Sequence, residues 1–381
     1  MSRPRIIIAG GGTGGHVYPG LAVADALVAL ADVEVIFCGT ARGIEKDVVP
    51  ARGYRLELLE VSPMKGGGAK RAIGGALTAA KATFRALRLV RGIDPAAVLS
   101  VGGYAAGPVA LAAAIARVPI AVFEPNGVLG LTNRLLAPFA KRAYVTWPDV
   151  ARRFGESVRR DIGVPLRAGF DPYPYQVGTP KRLLVMGGSL GAKAINERMP
   201  GVVAALVKAH PGLRVLHQTG RGSDGAVRAA YDALGVAADV RPYLDDVPAA
   251  LRDADLILAR SGAGTVAEIA SVGRAAVFVP FPFAADDHQT KNALAMASAG
   301  GARVIAQTDA TEARLVSELG DLLADDGRRV AMADAARKVG RPRAAWDAAG
   351  DLLALGGVPL RIAKNGSSGK NGDRASRLEV N

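Results

Sequence analysis

The chain runs twice through the same opening phrase. Residues 5–24 read RIIIAGGGTGGHVYPGLAVA and residues 182–196 read RLLVMGGSLGAKAIN. Each is an apolar run, a glycine-rich turn and then a helical apolar pattern. An apolar run without polar alternation suits a parallel strand buried on both faces. Further runs of this kind lie near 33–37, 55–61, 97–101, 119–123 and 142–146, and again near 213–217, 239–243, 255–259, 275–279 and 302–306. With helical patterns between them, they predict two parallel sheets covered by helices. At 381 residues the chain exceeds the size at which one core keeps growing. The Pro- and Gly-dense stretch 163–182 reads as the link between two halves.

The expected architecture is therefore α/β, with two Rossmann-like domains facing each other across a cleft lined by strand C-terminal ends, where ligands bind in such sheets. The expected divisions are 1–163, 164–340, a helix within 341–357 packing back on the first domain, and a mobile tail over 358–381 without apolar period.

Cys38 is the sole cysteine, which rules out an internal disulfide or a cysteine-based metal site and suits a reducing compartment. The apolar run Ile6–Ala9 is well short of a signal segment, and Val109–Ala116 is cut by Arg117 before it can span a bilayer. A soluble or peripherally bound protein is expected.

The formal charge is +13, from 48 basic and 35 acidic residues, and it is unevenly placed. Residues 61–93 contain no acid but hold Lys65, Lys70, Arg71, Lys81, Arg85, Arg88 and Arg91, interleaved with Leu77, Phe84, Leu87 and Leu89. A basic amphipathic segment of this kind suits an anionic membrane surface. The plainer alternative is a solvated helix packed on its own domain. Nucleic acid is not expected, because no aromatic stacking platform accompanies the charge.

Gly10, Gly12 and Gly15 satisfy G-x-G-x-x-G, but a dinucleotide site also needs an acid at the end of the second strand. There the chain has Cys38 and Gly39, and Glu34 comes too early. A phosphate-binding lysine loop fails as well, since His16 follows Gly15. What remains is backbone N–H groups at helix N-termini that favour an anion. A third such place is ARSGAGTVAEIAS (259–271), where Glu268 can accept from ribose hydroxyls or simply sit in the early turns of a capped helix.

GGTGGHVYPGLAVA, GGYAAGP (102–108), EPNGVLGLTNR (124–134), GGSLGAKAIN (187–196), ARSGAGTVAE and DDHQTKNA (286–293) resemble, in order and spacing, the bacterial MurG glycosyltransferases over about residues 5–357. The resemblance implies a GT-B fold. It also implies metal- and cofactor-independent, inverting transfer of N-acetylglucosamine from UDP-GlcNAc to the 4-hydroxyl of undecaprenyl-diphosphoryl-N-acetylmuramoyl-pentapeptide. That reaction belongs to peptidoglycan synthesis at the cytoplasmic face of the cell membrane.

Carried over by motif, Thr13, Gly14 and Gly15 lie by the donor diphosphate and sugar, Asn126 contacts the sugar, Asn133 belongs to the same substrate loop, and Arg167 reaches the nucleotide. The resemblance likewise puts Ser189 on the diphosphate, Leu244 on the uracil, Ala263, Gly264 and Thr265 on the phosphates, Glu268 on ribose, and His288 and Gln289 on sugar hydroxyls. Where the family has His-Glu-Gln-Asn, this chain has Phe123-Glu124-Pro125-Asn126.

Such a transfer needs a stabilised leaving diphosphate and a base for the attacking hydroxyl. His16, His210, His217 and His288 are the only histidines. His210 reads as a solvated helix end and His217 as packing beside the cleft. His16 follows the first glycine turn, either as base, as orienter of the loop or as phosphate donor. Glu124 is the rival base, and Tyr104 is an acceptor contact. Another glycolipid-forming GT-B transferase, a UDP-sugar epimerase and an inactive nucleotide-sugar binder remain the alternatives.

Overall fold

Strands that are apolar on both faces require helices on both sides, and the first strand shows the arrangement. The structure is a computed structural model describing residues 3–61, 69–103, 105–188 and 191–361, with side chains described outside 69–80. In β1 (Arg5–Gly10), Ile6 and Ile8 enter one core layer while Ile7 and Ala9 enter the other, all fully buried. Burying each such side chain contributes about 1.5–3 kcal/mol.

Among the described residues the strands form two parallel sheets. The first takes β2 (Glu34–Gly39), β3 (Arg55–Leu58), β4 (Ala97–Gly102), β5 (Ile120–Glu124), β6 (Arg142–Val145) and β7 (Arg159–Asp161) in the order β3-β2-β1-β4-β5-β6-β7. The second takes β8 (Arg182–Met186), β9 (Arg214–Gln218), β10 (Asp239–Arg241), β11 (Leu256–Ala259), β12 (Ala276–Phe278) and β13 (Ala302–Val304) in the order β10-β9-β8-β11-β12-β13. The order reverses between β1 and β4 and again between β8 and β11, where ligands bind in open α/β sheets. The doubled Rossmann-like architecture expected from the sequence is thus present. The edge strand β7, Arg-Arg-Asp, carries no apolar signal and was not anticipated.

The basic helix Ala69–Ile93 packs Ala86, Val90 and Ile93 into the first domain's core, and Ala82 is buried as well. Leu87 and Leu89 are half-buried, but Phe84 points out, 56% exposed, with Arg88 stacked over its ring at 4.4 Å. Arg85 pairs with Glu60, just outside the acid-free stretch. The side chains of Lys65, Lys70 and Arg71 lie outside the described residues.

The helix Ala344–Leu355 leaves the second domain and packs on the helix Gly14–Leu30, sharing its core with Ile6 and Ile8. Asp351 fastens it by accepting from Arg142, Arg160 and the Tyr144 hydroxyl. The expected tail begins packed rather than free: Val358 is buried, and Arg361 N donates to Leu30 O at 2.7 Å. Residues 362–381 lie outside the described residues.

Candidate functional site

Two glycine turns meet at the C-terminal end of the first sheet. Gly11 N donates to Gly102 O at 3.3 Å, and a Cβ on Gly103 would lie 2.3 Å from Gly11 O. Gly102 has φ +91°, and a Cβ there would sit 2.9 Å from His16 Cε1 and Nδ1. The imidazole therefore lies directly over a residue that has to be glycine. We expect Gly102→Ala to destabilise the fold by about 1–2 kcal/mol through its left-handed backbone. The same substitution is expected to lower kcat by displacing His16, as urea midpoints and initial rates will report.

His16 is half-buried in the first turn of the helix Gly14–Leu30, and its Nδ1 is buried without a hydrogen-bond partner. Burial pushes its pKa below the ordinary histidine value. The Glu124 carboxylate is the largest opposing influence, followed by the Val101 backbone, while His288 adds to the lowering and Glu45 opposes it. Thr13 and Gly15 are exposed at the mouth of the turn and Gly14 is half-buried.

The sequence reading missed the carboxylate that holds this turn. Glu45, 1% exposed, accepts from Gly12 N at 2.8 Å, Thr40 N at 2.9 Å and Thr40 Oγ1 at 2.9 Å. A Cβ at Gly11, Gly39 or Gly43 would collide with its side chain at 2.2, 2.6 and 1.9 Å. Burial opposes the charge, but these hydrogen bonds prevail and hold its pKa below the usual carboxylate value. The acid sought at the end of the second strand does exist, six positions after Gly39. It fills the turn from within instead of meeting a ribose.

Glu124 is 3% exposed and its carboxylate is saturated. One oxygen accepts from Asn126 N and Nδ2, both at 3.2 Å, and the other from Gly130 N at 2.8 Å and Asn133 Nδ2 at 3.1 Å. Four donors on one carboxylate make Glu124 the organiser of this loop, beside its candidacy as the rival base. Asn133, 3% exposed, is buried beneath the loop and also donates to Phe123 O at 2.8 Å, which makes it a support and not a surface contact. Asn126 remains half-buried at the cleft.

The second domain meets this loop through Asn292, a residue the sequence reading quoted within its motif but did not select. Fully buried, it accepts from Gly127 N at 2.9 Å and donates to Ser261 O at 3.2 Å and toward Asn126 Oδ1 at 3.4 Å. Ser261 Oγ donates to Gln289 O at 2.8 Å, and Gln289 Oε1 accepts from Phe281 N at 3.0 Å. His288 is half-buried, its Nδ1 2.8 Å from Ala285 O, after Asp286 and Asp287 in left-handed conformation.

Ala263, Gly264 and Thr265 form the first turn of the helix Ala263–Val272, whose N-terminal N–H groups are open to an anion. Ala263 and Ala267 pack against the first domain's core. Glu268, one turn on, has its pKa pushed up to about 7 by burial, with Arg167 as the opposing positive charge. Leu244 is buried at 3% exposure in the loop after β10.

His217 is fully buried between the Tyr231 hydroxyl at 3.1 Å and Asn196 Oδ1 at 3.2 Å, with a pKa lowered to about 4 by burial. It is a packing residue. His210 caps the C-terminus of the helix Lys193–Ala209. Tyr104 and Ser189 lie outside the described residues. Among the described residues no group of three or more His, Cys, Asp or Glu side chains is placed to hold a metal ion.

The glycosyltransferase family 28 N-terminal domain matches residues 6–145, and the family's C-terminal domain matches residues 182–347. The UDP-N-acetylglucosamine--N-acetylmuramyl-(pentapeptide) pyrophosphoryl-undecaprenol N-acetylglucosamine transferase of Sorangium cellulosum is 48% identical over 94% of this chain and 90% of its own length. Its namesake from Anaeromyxobacter dehalogenans (strain 2CP-C) is 42% identical over 92% of this chain and 93% of its own. The crystal structure of Acinetobacter baumannii MurG superposes with a TM-score of 0.77 at 32% identity, covering 92% of this chain and 99% of that one. A likeness this even across both domains, on the same two-sheet frame, establishes that the chain belongs to the MurG family of glycosyltransferases.

Proposed function

We propose that the protein transfers N-acetylglucosamine from UDP-N-acetylglucosamine to the 4-hydroxyl of undecaprenyl-diphosphoryl-N-acetylmuramoyl-pentapeptide, with inversion. The supporting observation is the join across the cleft at Gly127 and Asn292, which brings His16 into electrostatic range of His288. The acceptor oxygen attacks C1 of the sugar as the bond from C1 to the diphosphate oxygen breaks. The hydroxyl proton passes to His16, a neutral imidazole at physiological pH because its pKa is depressed. Negative charge developing on UDP is met by the N-terminus of the helix Ala263–Val272 and by Arg167. Glu124 and Asn133 hold the Asn126 loop against the sugar, Leu244 lies beside the base, and Glu268 accepts from the ribose.

Purified protein given labelled UDP-N-acetylglucosamine and the lipid-linked muramoyl acceptor is expected to form the disaccharide and UDP stoichiometrically. UDP release without acceptor would indicate an epimerase-like reaction instead, and no turnover would indicate a binder.

The raised pKa of Glu268 sets a pH dependence. In the free protein its carboxyl is protonated below about 7. Ribose hydroxyls donating to it favour the ionised form, so nucleotide binding expels a proton. Affinity for UDP is therefore full above about pH 7 and falls as pH drops, by up to about tenfold per unit. Calorimetry in buffers of different ionisation enthalpy measures the released proton, and Glu268→Gln is expected to abolish both effects.

The proposed site of action is the cytoplasmic face of the membrane, peripherally. No helix among the described residues is long and apolar enough to cross one. Support comes from three adjoining helices of the first domain that expose Phe84, Leu111, Ile115, Leu131 and Leu135, with Lys81, Arg88 and Arg91 among the basic residues on the first of them. Such a surface combines apolar insertion with attraction to anionic headgroups. Phe84→Ser with Arg88→Glu is expected to lower binding to phosphatidylglycerol vesicles by about tenfold. Turnover of a short-chain, water-soluble acceptor should be unchanged, which assigns the loss to the surface and not to the fold.

A further inference from the structure

Gly187 and Gly188, which precede the Ser189 that the resemblance puts on the donor diphosphate, are fastened to the loop of the nucleobase by one side chain. Gln218, the last residue of β9 and 4% exposed, accepts from Gly188 N through Oε1 at 3.1 Å. Its Nε2 donates to Gly188 O at 2.9 Å and to Pro242 O at 3.2 Å, two residues before Leu244. Its own carbonyl accepts from Gly187 N at 3.1 Å. Beneath it the strand end is rigid: Thr219 N donates to Arg241 O at 3.0 Å, and Asn196 Nδ2 donates to Thr219 O at 2.9 Å. A Cβ on Gly191 would come within 2.3 Å of Thr219 O, so the far side of the turn is seated on the same strand end.

We propose that Gln218 is a positioning residue for the nucleoside diphosphate, fixing the span between its base and its phosphates and doing so without charge. This inference rests on the assignment of the second domain to the donor. The two halves of the molecule make the comparison internally. Their glycine turns begin alike, but the first is held by the Glu45 carboxylate on Gly12 N and the second by a neutral carboxamide on Gly188 N. A carboxylate beneath a turn repels a second anion, while a carboxamide satisfies the same N–H and leaves the turn receptive. The difference between Glu45 and Gln218 thus favours Gly188 over Gly12 as the backbone N–H beside which the donor diphosphate settles. Both bonds of the Gln218 amide group to carbonyls are ones a carboxylate cannot make, so the residue type is specified by the geometry as well as by the charge.

The test compares UDP, which spans both loops, with uridine, which reaches only the base loop. Wild-type turnover of UDP-N-acetylglucosamine and wild-type binding of UDP first establish the donor site, so a failure there is separate from a failure of the variants. In Gln218→Ala, UDP is expected to bind about tenfold more weakly, the scale of one or two lost hydrogen bonds, and uridine less than about threefold more weakly. KM for the donor rises in parallel, with kcat at saturating donor within about threefold, as expected for a loss of uniform binding. Gln218→Glu, nearly isosteric, adds charge under the turn and is expected to weaken UDP by a further factor of about ten while uridine stays near its Gln218→Ala value. If Gln218→Ala does not fold, the ratio of UDP to uridine loss in Gln218→Glu carries the same comparison. Equal losses for UDP and uridine, or UDP binding within about twofold of wild type in Gln218→Ala, overturn the proposal.

Discussion

His16→Ala is expected to lower kcat by about 10²–10⁴-fold at saturating UDP-N-acetylglucosamine, the range for removing a positioned general base. KM for the donor should change little, because the ring stands on the first domain, over Gly102. The pH profile carries the finer information. The imidazole must be neutral to take the proton, so the wild-type rate falls on the acid side, at a pH below the ordinary histidine value. His16→Gln, which can hydrogen-bond but not titrate, is expected to lose both rate and acid limb. A variant that kept near wild-type kcat would show that the ring merely orients the turn.

Glu124→Gln is the second large effect and has a different signature. One oxygen remains an acceptor, but the new amide nitrogen faces N–H donors from Gly130 and Asn133, or from Asn126, and loses those bonds. Hydrogen bonds to a charged group contribute about 1.5–3 kcal/mol each, so a loss of about 10²-fold in kcat/KM is expected. The acid limb persists, because His16 is intact, but it moves to lower pH. The sign follows from the groups facing His16. Glu124 and Glu45 favour the protonated ring and His288 disfavours it, so neutralising Glu124 lowers the His16 pKa. Loss of the acid limb in Glu124→Gln would instead identify Glu124 as the base.

Much of the frame was legible because strands buried on both faces leave a plain record. Arg5–Gly10 and Arg182–Met186 are apolar along almost their whole length, and the glycine turns mark where each ends. β7 left no such record, since an edge strand of Arg-Arg-Asp buries little. The site was legible to the extent that motifs single out His16 and Glu268 as candidates, and burial shifts the pKa of both. It was not legible where one buried polar side chain organises a loop distant in sequence. Glu45, Gln218 and Asn292 act on residues 33, 30 and 165 positions away, and neither periodicity nor local motif encodes such a pairing. For Glu45 a trace existed in the triplet Gly11, Gly39 and Gly43, three glycines serving one carboxylate. Glu124 was singled out from its motif, but the four donors it accepts from are visible only in the folded loop.

The helix Ala344–Leu355 also has a consequence for how the molecule is made. Ala345, Ala348, Ala349, Leu352 and Leu353 complete the layer that covers Ile6, Ile8 and Leu27. While the chain is being synthesised, the first sheet emerges with that layer open, and the missing piece follows only after the second sheet. At about 5–20 residues per second, the roughly 180 intervening residues take about 10–40 s to arrive. For that interval the nascent chain presents an apolar face that nothing of its own can yet cover, and this is the stage at which a chaperone has something to hold.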